Sequence, residues 1–307
     1  MENKEDAVKY QQFTETLKSL FVELLPYYIG NAEDEIGTKV KPADGTPVTS
    51  LDHYTLERLR GVVAADFPDD LTIGEEDQKN PEEINRILAR RDECQWTVDG
   101  LDGTGNLLLG TNCYGAAISR RRGDTILYAA SFLPVDQKLR GNGFLFAEHA
   151  RGAWEWRETR KDYVRLHTAP QGKLKRITVM LEGGSKKFFK PPISLVGLAE
   201  TMRPSVSSCV AGAAVARGKA SALVTIENKP WDNWPNVLMI QEAGGIVTDF
   251  RGYPCLPENC GNMVAAANNA DHAQIVELLN SPPDSIPLDV LHTIRRGGGG
   301  CGSAYEG

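Results

Sequence analysis

The sequence predicts a layered α/β protein, on three observations. Residues 6–92 carry mainly helical periodicity, 95–156 read as short strands, and 176–280 alternate strand-like with helix-like stretches. Such alternation argues for sheets with helices on their faces. The bulk numbers agree. The chain has 307 residues, 41% hydrophobic and 24% charged, an ordinary globular balance and enough chain for a large core.

The first helix is expected over about 6–28, where Phe13, Leu17, Leu20, Phe21 and Leu24 recur at helical spacing and Pro26 lies near the end. The stretch KPADGTPVTSLD (41–52) is a turn rich in Pro, Gly and Asp. A second helix is expected over about 51–66, with Leu56, Leu59 and Val63 on one face. PEEINRILARRD (81–92) opens a third with Pro and an acidic first turn. QWTVD (95–99), CYGAAIS (113–119) and TILYAASF (125–132) are strands, and 143–156 is a hairpin around Arg151-Gly152. The stretch VDGLDGTGN (98–106) is read as a loop, because strands disfavour Asp and Gly. A domain boundary is placed in the polar stretch 157–175, dividing the chain into 1–160, 161–280 and a tail, 281–307, flexible from Arg296.

The charge balance, 34 basic against 41 acidic residues for a net −7, excludes a protein built to attract nucleic acid electrostatically. The short basic runs RRR (120–122) and GKLKR (172–176) read as solvated surface. No secretory h-region opens the chain and no apolar run spans a membrane. The six cysteines, none in a C-x-x-C pair, are read as reduced thiols of a cytoplasmic protein. Cys255 and Cys260 lack further zinc ligands, since no histidine lies between 167 and 272. GAAVARGKA (212–220) fails the P-loop pattern, and GNGFLF lacks the third glycine of a dinucleotide fingerprint.

The chemistry resides in carboxylates at element ends. GEED places Glu75 and its neighbours after a short apolar run, Asp99 and Asp102 come after a strand, and Asp232 precedes a helix. Oxygen-rich sets of this kind suit Mg²⁺. Two ions held close together clamp the entering and leaving oxygens of a phosphoryl displacement. Singly, each residue also has a structural role open to it. Asp99 and Asp102 are turn formers, Asp232 an N-cap and Glu75–Asp77 a solvated patch. Thr49 and Asp52 form a capping box, and Thr104 caps the next helix or turn. The GTGN stretch offers backbone N–H groups suited to phosphate.

Read together, GEED, WTVDGLDGTGN and PWDNWPNVLMIQEAGG resemble, in order and separation, the three metal-site motifs of the inositol monophosphatase superfamily, lithium-sensitive Mg²⁺-dependent phosphatases. The turn 41–52 matches the motif upstream, and the likeness covers about 7–280. The resemblance implies an α-β-α-β-α sandwich. Its N-terminal α+β domain holds most ligands, and its C-terminal α/β domain holds Asp232 and the substrate pocket. It implies two or three Mg²⁺ ions on Glu75, Asp99, the Leu101 carbonyl, Asp102 and Asp232. Gly103 and Thr104 hold phosphate, and Glu75, Thr104 and Asp52 direct a metal-activated water at phosphorus with no covalent intermediate. The implied partner is a small phosphorylated metabolite, with no nucleic acid and no membrane, and family members are often homodimers.

The departures concern substrate and stiffness. Gly100 stands where the family usually has Pro, freeing φ, and Gly105 replaces a Thr or Lys, so a looser loop is expected. The family's Gly-Ser/Thr-Ala-Ala reads VSSC (206–209) after Arg203, and Thr225 stands where inositol-specific members carry a glutamate. Arg203, Ser207, Ser208 and Thr225 are therefore the pocket candidates, and inositol phosphate is not the expected main substrate. A bisphosphate nucleotidase, a histidinol-phosphate phosphatase and a non-catalytic regulatory member are the alternatives.

Overall fold

A computed structural model describes residues 4–30, 37–41, 45, 47–134, 143–173, 177–183, 195, 201–256 and 259–281. The tail from 282, residues 174–176 of GKLKR and residues 197–200 lie outside the described residues.

Five layers stack. Helices α1 (Lys4–Gly30) and α2 (Ser50–Asp66) cover one face of a seven-stranded sheet. The sheet comprises β3 (Leu71–Gly74), β4 (Cys94–Asp102), β5 (Gly115–Arg122), β6 (Thr125–Leu133), β7 (Gly143–Glu148), β8 (Gly152–Arg157) and β9 (Asp162–Arg165), in that spatial order. β3 pairs parallel to β4, and every other pair is antiparallel. On the far face lie α5 (Ser208–Ala216) and α6 (Pro230–Glu242), which also pack on a second sheet. That sheet runs β11 (Thr201–Pro204), β10 (Thr178–Gly183), β12 (Ala222–Ile226), β14 (Met263–Ala266), β13 (Ile246–Asp249), and α7 (Asn269–Asn280) closes the stack. The two-stranded β1 (Lys39–Val40) and β2 (Pro47–Val48), a 3₁₀ turn (Glu75–Lys79) and the short helices α3 (Pro81–Leu88) and α4 (Thr104–Leu108) complete the described elements.

The layers arise from side-chain pattern. On α1, Tyr10, Phe13, Leu17, Leu20, Phe21, Leu24 and Tyr28 form a buried stripe, with Phe13 4.9 Å from Trp96 and Phe21 stacked 4.6 Å from Phe132. Each such side chain removed from water contributes about 1.5–3 kcal/mol. α5 reads SCVAGAAVA and is buried nearly all round because sheets flank it on both sides. One hydrophobic cluster runs from Leu145 and Ala153 of the first sheet through Val237 and Ile240 to Leu223 and Met263 of the second.

Three expectations change. Residues 98–102 are strand, not loop, and the ladder to β5 slips register between Asp99 and Asp102. Residues three apart on a regular strand face opposite sides; the irregularity lets both carboxylates serve one site. Arg120 and Arg121 are not solvated. Arg120 pairs with Asp70, while Arg121 is 1% exposed, bonded to Gln95 and the Leu88 carbonyl and lying 4.7 Å over the Trp234 ring. Alternation along β5 sends these neighbours to opposite helix layers, and both layers supply partners. Cys255 and Cys260 form a disulfide where reduced thiols were expected; their Cα atoms lie 5.2 Å apart, within bridging range.

Gly100 is clamped rather than loose. A Cβ there would lie 2.6 Å from the Asp52 carbonyl oxygen and 2.9 Å from the Leu56 nitrogen, inside the backbone of α2. The Tyr28 hydroxyl donates to the Gly100 carbonyl. A Cβ on Gly105, in contrast, meets nothing within 4 Å. Gly100→Ala is therefore expected to cost about 1–3 kcal/mol by forcing α2 off β4, and Gly105→Ala to be neutral or to stabilise by up to ~1 kcal/mol. Denaturant midpoints check both; equal midpoints for the two variants contradict the packing account.

Candidate active site

The acidic residues arrive by the ends of different elements. β3 and β4 run parallel with Gly74 opposite Val98, so Glu75 and Asp99 emerge side by side at one sheet edge. Asp52 is the third residue of α2 and Asp232 the third of α6, each a side chain that folds back on its own N-terminus. Helix N-termini favour carboxylates.

Two sets of oxygens result. One oxygen each of Asp99, Asp102 and Asp232 lies within 4.8 Å of the others, and the same holds for Asp52, Glu75 and Glu76. The protein fixes their planes with its own donors. Leu101 N donates to Asp99 Oδ1 at 3.0 Å and Lys229 N to Asp232 Oδ2 at 2.9 Å. Asp102 Oδ2 accepts from Cys209 N at 2.6 Å, Ser207 Oγ at 3.0 Å and Ser208 Oγ at 3.3 Å. Orientation of ligands by outer donors is a hallmark of metal sites.

Asp52 serves as cap and as partner. Its Oδ2 accepts from Thr49 N at 2.7 Å and Thr49 Oγ1 at 2.5 Å, while its Oδ1 accepts from Thr104 Oγ1 at 2.8 Å. The Thr104 hydroxyl also lies 2.9 Å from the Leu101 carbonyl oxygen, so its one proton is shared between two acceptors. Gly103 supplies the turn into α4 at φ 88°, and a Cβ there would lie 2.7 Å from the Cys113 carbonyl. That conformation is cheap only for glycine.

The crowding shows in the proton affinities. Burial, then Glu75, Asp102 and Asp232, holds Asp99 well above the usual carboxylate range. Burial, then Asp102 and Glu75, does the same to Asp232. Burial raises Glu75 to about 7, against the opposing pull of Lys41. Burial also raises Asp52, partly offset by its bonds from Thr49 and Thr104. Among the described residues no Lys or Arg pairs with Asp99, Asp102 or Asp232. The donor set there is hard oxygen, crowded and without a balancing cation, which fits a divalent ion such as Mg²⁺.

Sequence reasoning missed three contributors. Lys41 is 6% exposed, with its ammonium 2.5 Å from Glu75 Oε1 and 2.9 Å from Glu76 Oε1. Burial works against its charge, and the two glutamates more than offset this. It lies in a polar turn, where no local pattern marks a lysine as buried. Glu182, buried in β10, accepts from Ser205 Oγ and Ser207 N, and burial first of all lifts it to about 8. Its signal was a carboxylate in an otherwise apolar strand, VMLEG. Asn106 donates to the carbonyls of Cys113, Ser205 and Val206 and ties α4 to the turn before α5.

Of the pocket candidates, Ser207 and Ser208 border the cluster through Asp102. Thr225 does not. It is fully buried in β12, its hydroxyl engaged by Asn233 Nδ2 at 3.1 Å, because strand alternation turns it into the helix layer. Arg203 is exposed on the edge strand β11, opposite Met180, and no described hydrogen bond or ion pair joins it to the cluster.

Comparison with known proteins agrees with this geometry. The inositol monophosphatase family model matches residues 9–282. A histidinol-phosphatase of Chlorobaculum parvum is 25% identical over 245 residues, 79% of this chain and 86% of the relative. A Nus factor SuhB of Pasteurella multocida is 25% identical over 240 residues, 76% and 82% of the two chains. Among solved structures, an IMPase/NADP phosphatase complexed with Mg²⁺ and phosphate superposes with a TM-score of 0.71 at 18% identity, covering 89% of this chain and 97% of that one. With the acidic motifs at the ends of β3, β4 and the start of α6, the chain belongs to the inositol monophosphatase family.

Proposed function

We propose that the chain is a Mg²⁺-dependent phosphomonoesterase that hydrolyses a small phosphorylated metabolite, a sugar, cyclitol or nucleotide phosphate. The observation that carries the reading is the convergence of Asp99, Asp102 and Asp232 beside the Asp52–Thr104 hydrogen bond.

Glu75, Asp99, the Leu101 carbonyl, Asp102 and Asp232 are the residues assigned to hold two or three Mg²⁺ ions. Mg²⁺ held there supplies Lewis-acid chemistry, making water more acidic and offsetting charge on the phosphoryl group. The remaining work falls to the chain. Backbone N–H groups of Gly103 and Thr104 hold phosphoryl oxygens. When the Thr104 proton points to Asp52, the hydroxyl lone pairs are left to accept from a water aimed at phosphorus. Water oxygen bonds phosphorus and gives up one proton as the ester P–O bond breaks in line, and the departing alkoxide takes up one, so ester and water become alcohol and phosphate. Glu75, kept on station by Lys41, orients the water on its other side. The similarity to a Nus factor makes a regulatory protein without turnover the competing outcome.

A panel of phosphomonoesters assayed for phosphate release with and without Mg²⁺ separates the two readings; no release from any ester, with Mg²⁺ bound, rejects the enzyme. Asp99→Asn is expected to lower kcat/KM by about a thousandfold or more while leaving thermal stability equal or higher, since one of several crowded charges is removed. Wild-type turnover in that variant contradicts the assignment. Thr104→Ala should reduce kcat by about a hundredfold with little change in KM; a loss confined to KM would place Thr104 in binding instead.

The raised carboxyls also make stability depend on pH. A carboxyl whose folded-state pKa exceeds its unfolded value binds its proton more tightly when folded, so stability falls as pH rises between the two values. For Glu75 the window runs from 4.5 to about 7. Without divalent cations the melting temperature should decline across it. Mg²⁺ should restore more stability at about pH 8 than at about pH 5, because fewer protons then compete for the same oxygens. Thermal melts with and without MgCl₂ at both pH values check this; equal shifts contradict it.

A further inference from the structure

Glu182 is a buried carboxyl for which the reaction as described has no use. It ends a run of four buried residues in β10, Val179 to Glu182, and is 5% exposed. Carboxylates are rarely buried without partners, and an apolar residue in that strand would cost less. The partners follow from the strand register. Leu181 pairs with Pro204, the last residue of β11, so the chain leaving that edge strand brings Ser205 beside Glu182. Glu182 Oε1 accepts from the Ser205 hydroxyl and from Ser207 N at 3.2 Å. Ser207 Oγ in turn donates to Asp102 Oδ2 at 3.0 Å. From the other side, Asn106 Nδ2 donates to the Ser205 carbonyl at 2.7 Å and to the Val206 carbonyl at 3.2 Å. Val206, between the two grips, has φ 53°, a left-handed backbone that a β-branched residue adopts only where its surroundings impose it. The same turn packs on the phosphate loop, since a Cβ on Gly103 would lie 3.1 Å from Ser207 Cβ.

We propose that Glu182 is a positioning residue for the cation site: by accepting from Ser205 and Ser207 it fixes the 205–207 turn, so that the chain's donors hold one oxygen of Asp102 and leave the other for Mg²⁺. The proposal rests on the reading of the acidic cluster as a Mg²⁺ site. All three donors to Asp102 Oδ2 come from residues 207–209, the start of α5 and its cap. None of those bonds uses Asp102 Oδ1. A carboxylate whose plane is set beforehand binds a cation without first being ordered, which is what outer partners of a metal ligand supply. No described hydrogen bond joins Glu182 to Asp102 itself, so its hold on that side chain passes through Ser207. Both of its accepted bonds converge on one oxygen, so the role asks for an acceptor at that point and not for a charge.

The test measures Mg²⁺ affinity by calorimetry on the full chain, unaltered and as Glu182→Gln, Glu182→Met and Glu182→Asp, together with melting temperatures without Mg²⁺ and kcat at saturating Mg²⁺. Glu182→Met removes the acceptor at similar volume and should weaken Mg²⁺ binding about tenfold, with kcat little changed once Mg²⁺ saturates. Glu182→Gln keeps an oxygen at the Oε1 position and should recover most of the affinity. Glu182→Asp draws the acceptor back by one methylene; it should fall between the two and carries the test if Glu182→Met does not fold. Unchanged Mg²⁺ affinity in the Met and Asp variants, with only the melting temperature lowered, makes Glu182 a structural residue and overturns the proposal. Equal losses in Glu182→Gln and Glu182→Met overturn it in favour of charge alone. Mg²⁺ binding without hydrolysis of any ester by the unaltered chain rejects the phosphatase reading, while the order of the Mg²⁺ affinities still decides the role of Glu182. No saturable Mg²⁺ binding by the unaltered chain removes both.

Discussion

Asp99, Asp102 and Asp232 bring oxygens within 4.8 Å of one another in a largely buried place. Unit charges at about 4 Å repel by about 4 kcal/mol at an effective dielectric of 20. Much of the surrounding architecture bears on that repulsion. Asp52 and Asp232 each sit in the first turn of a helix, where the helix dipole and backbone donors favour negative charge. Asp102 takes a backbone N–H and two hydroxyls at the start of α5. Lys41 balances only the Glu75–Glu76 side. Asp99 and Asp232 gain no cation from the described residues, and burial and their acidic neighbours hold both well above the usual carboxylate range. A protein that wanted only stability would replace such a cluster with apolar residues.

The two sheets explain why this crowding is geometrically possible. Parallel pairing of β3 with β4 delivers Glu75 and Asp99 at one edge, the register slip in β4 adds Asp102, and the middle helix layer delivers Asp232 from the other sheet's side. Gly100 lets α2 approach β4 closely enough for Asp52 to reach Thr104. The glycine that replaces a stiffening proline is thus held by contact with α2 and by the Tyr28 hydroxyl, so the rigidity comes from packing instead of from a ring.

Much of this was legible in the sequence. Helical spacing along α1, the hairpin at Arg151-Gly152 and the capping box at Thr49–Asp52 are local signals, and the structure shows all three. The order GEED, VDGLDGT, PWD made the acidic set recognisable before any geometry. The features that stayed hidden depend on distant partners. Composition argues against a strand at 98–102, and only pairing with β5 overrides it. Arg120 and Arg121 look like surface until Asp70, Gln95 and Trp234 are brought to them. Thr225 sits at the right spacing from Asp232 yet on the inward face of its strand. Lys41 is 34 residues from Glu75 in sequence, so their pairing is set by the fold alone.

The central claim is that these carboxylates form a cation site that protons partly occupy when no ion is there. Titrating MgCl₂ into the protein in weak buffer at about pH 6.5, while tracking released protons, tests it most directly. Saturable binding with net proton release, smaller at about pH 8 and smaller again in Asp99→Asn, is the result expected. Binding without proton release, or no saturable binding at all, would contradict the account.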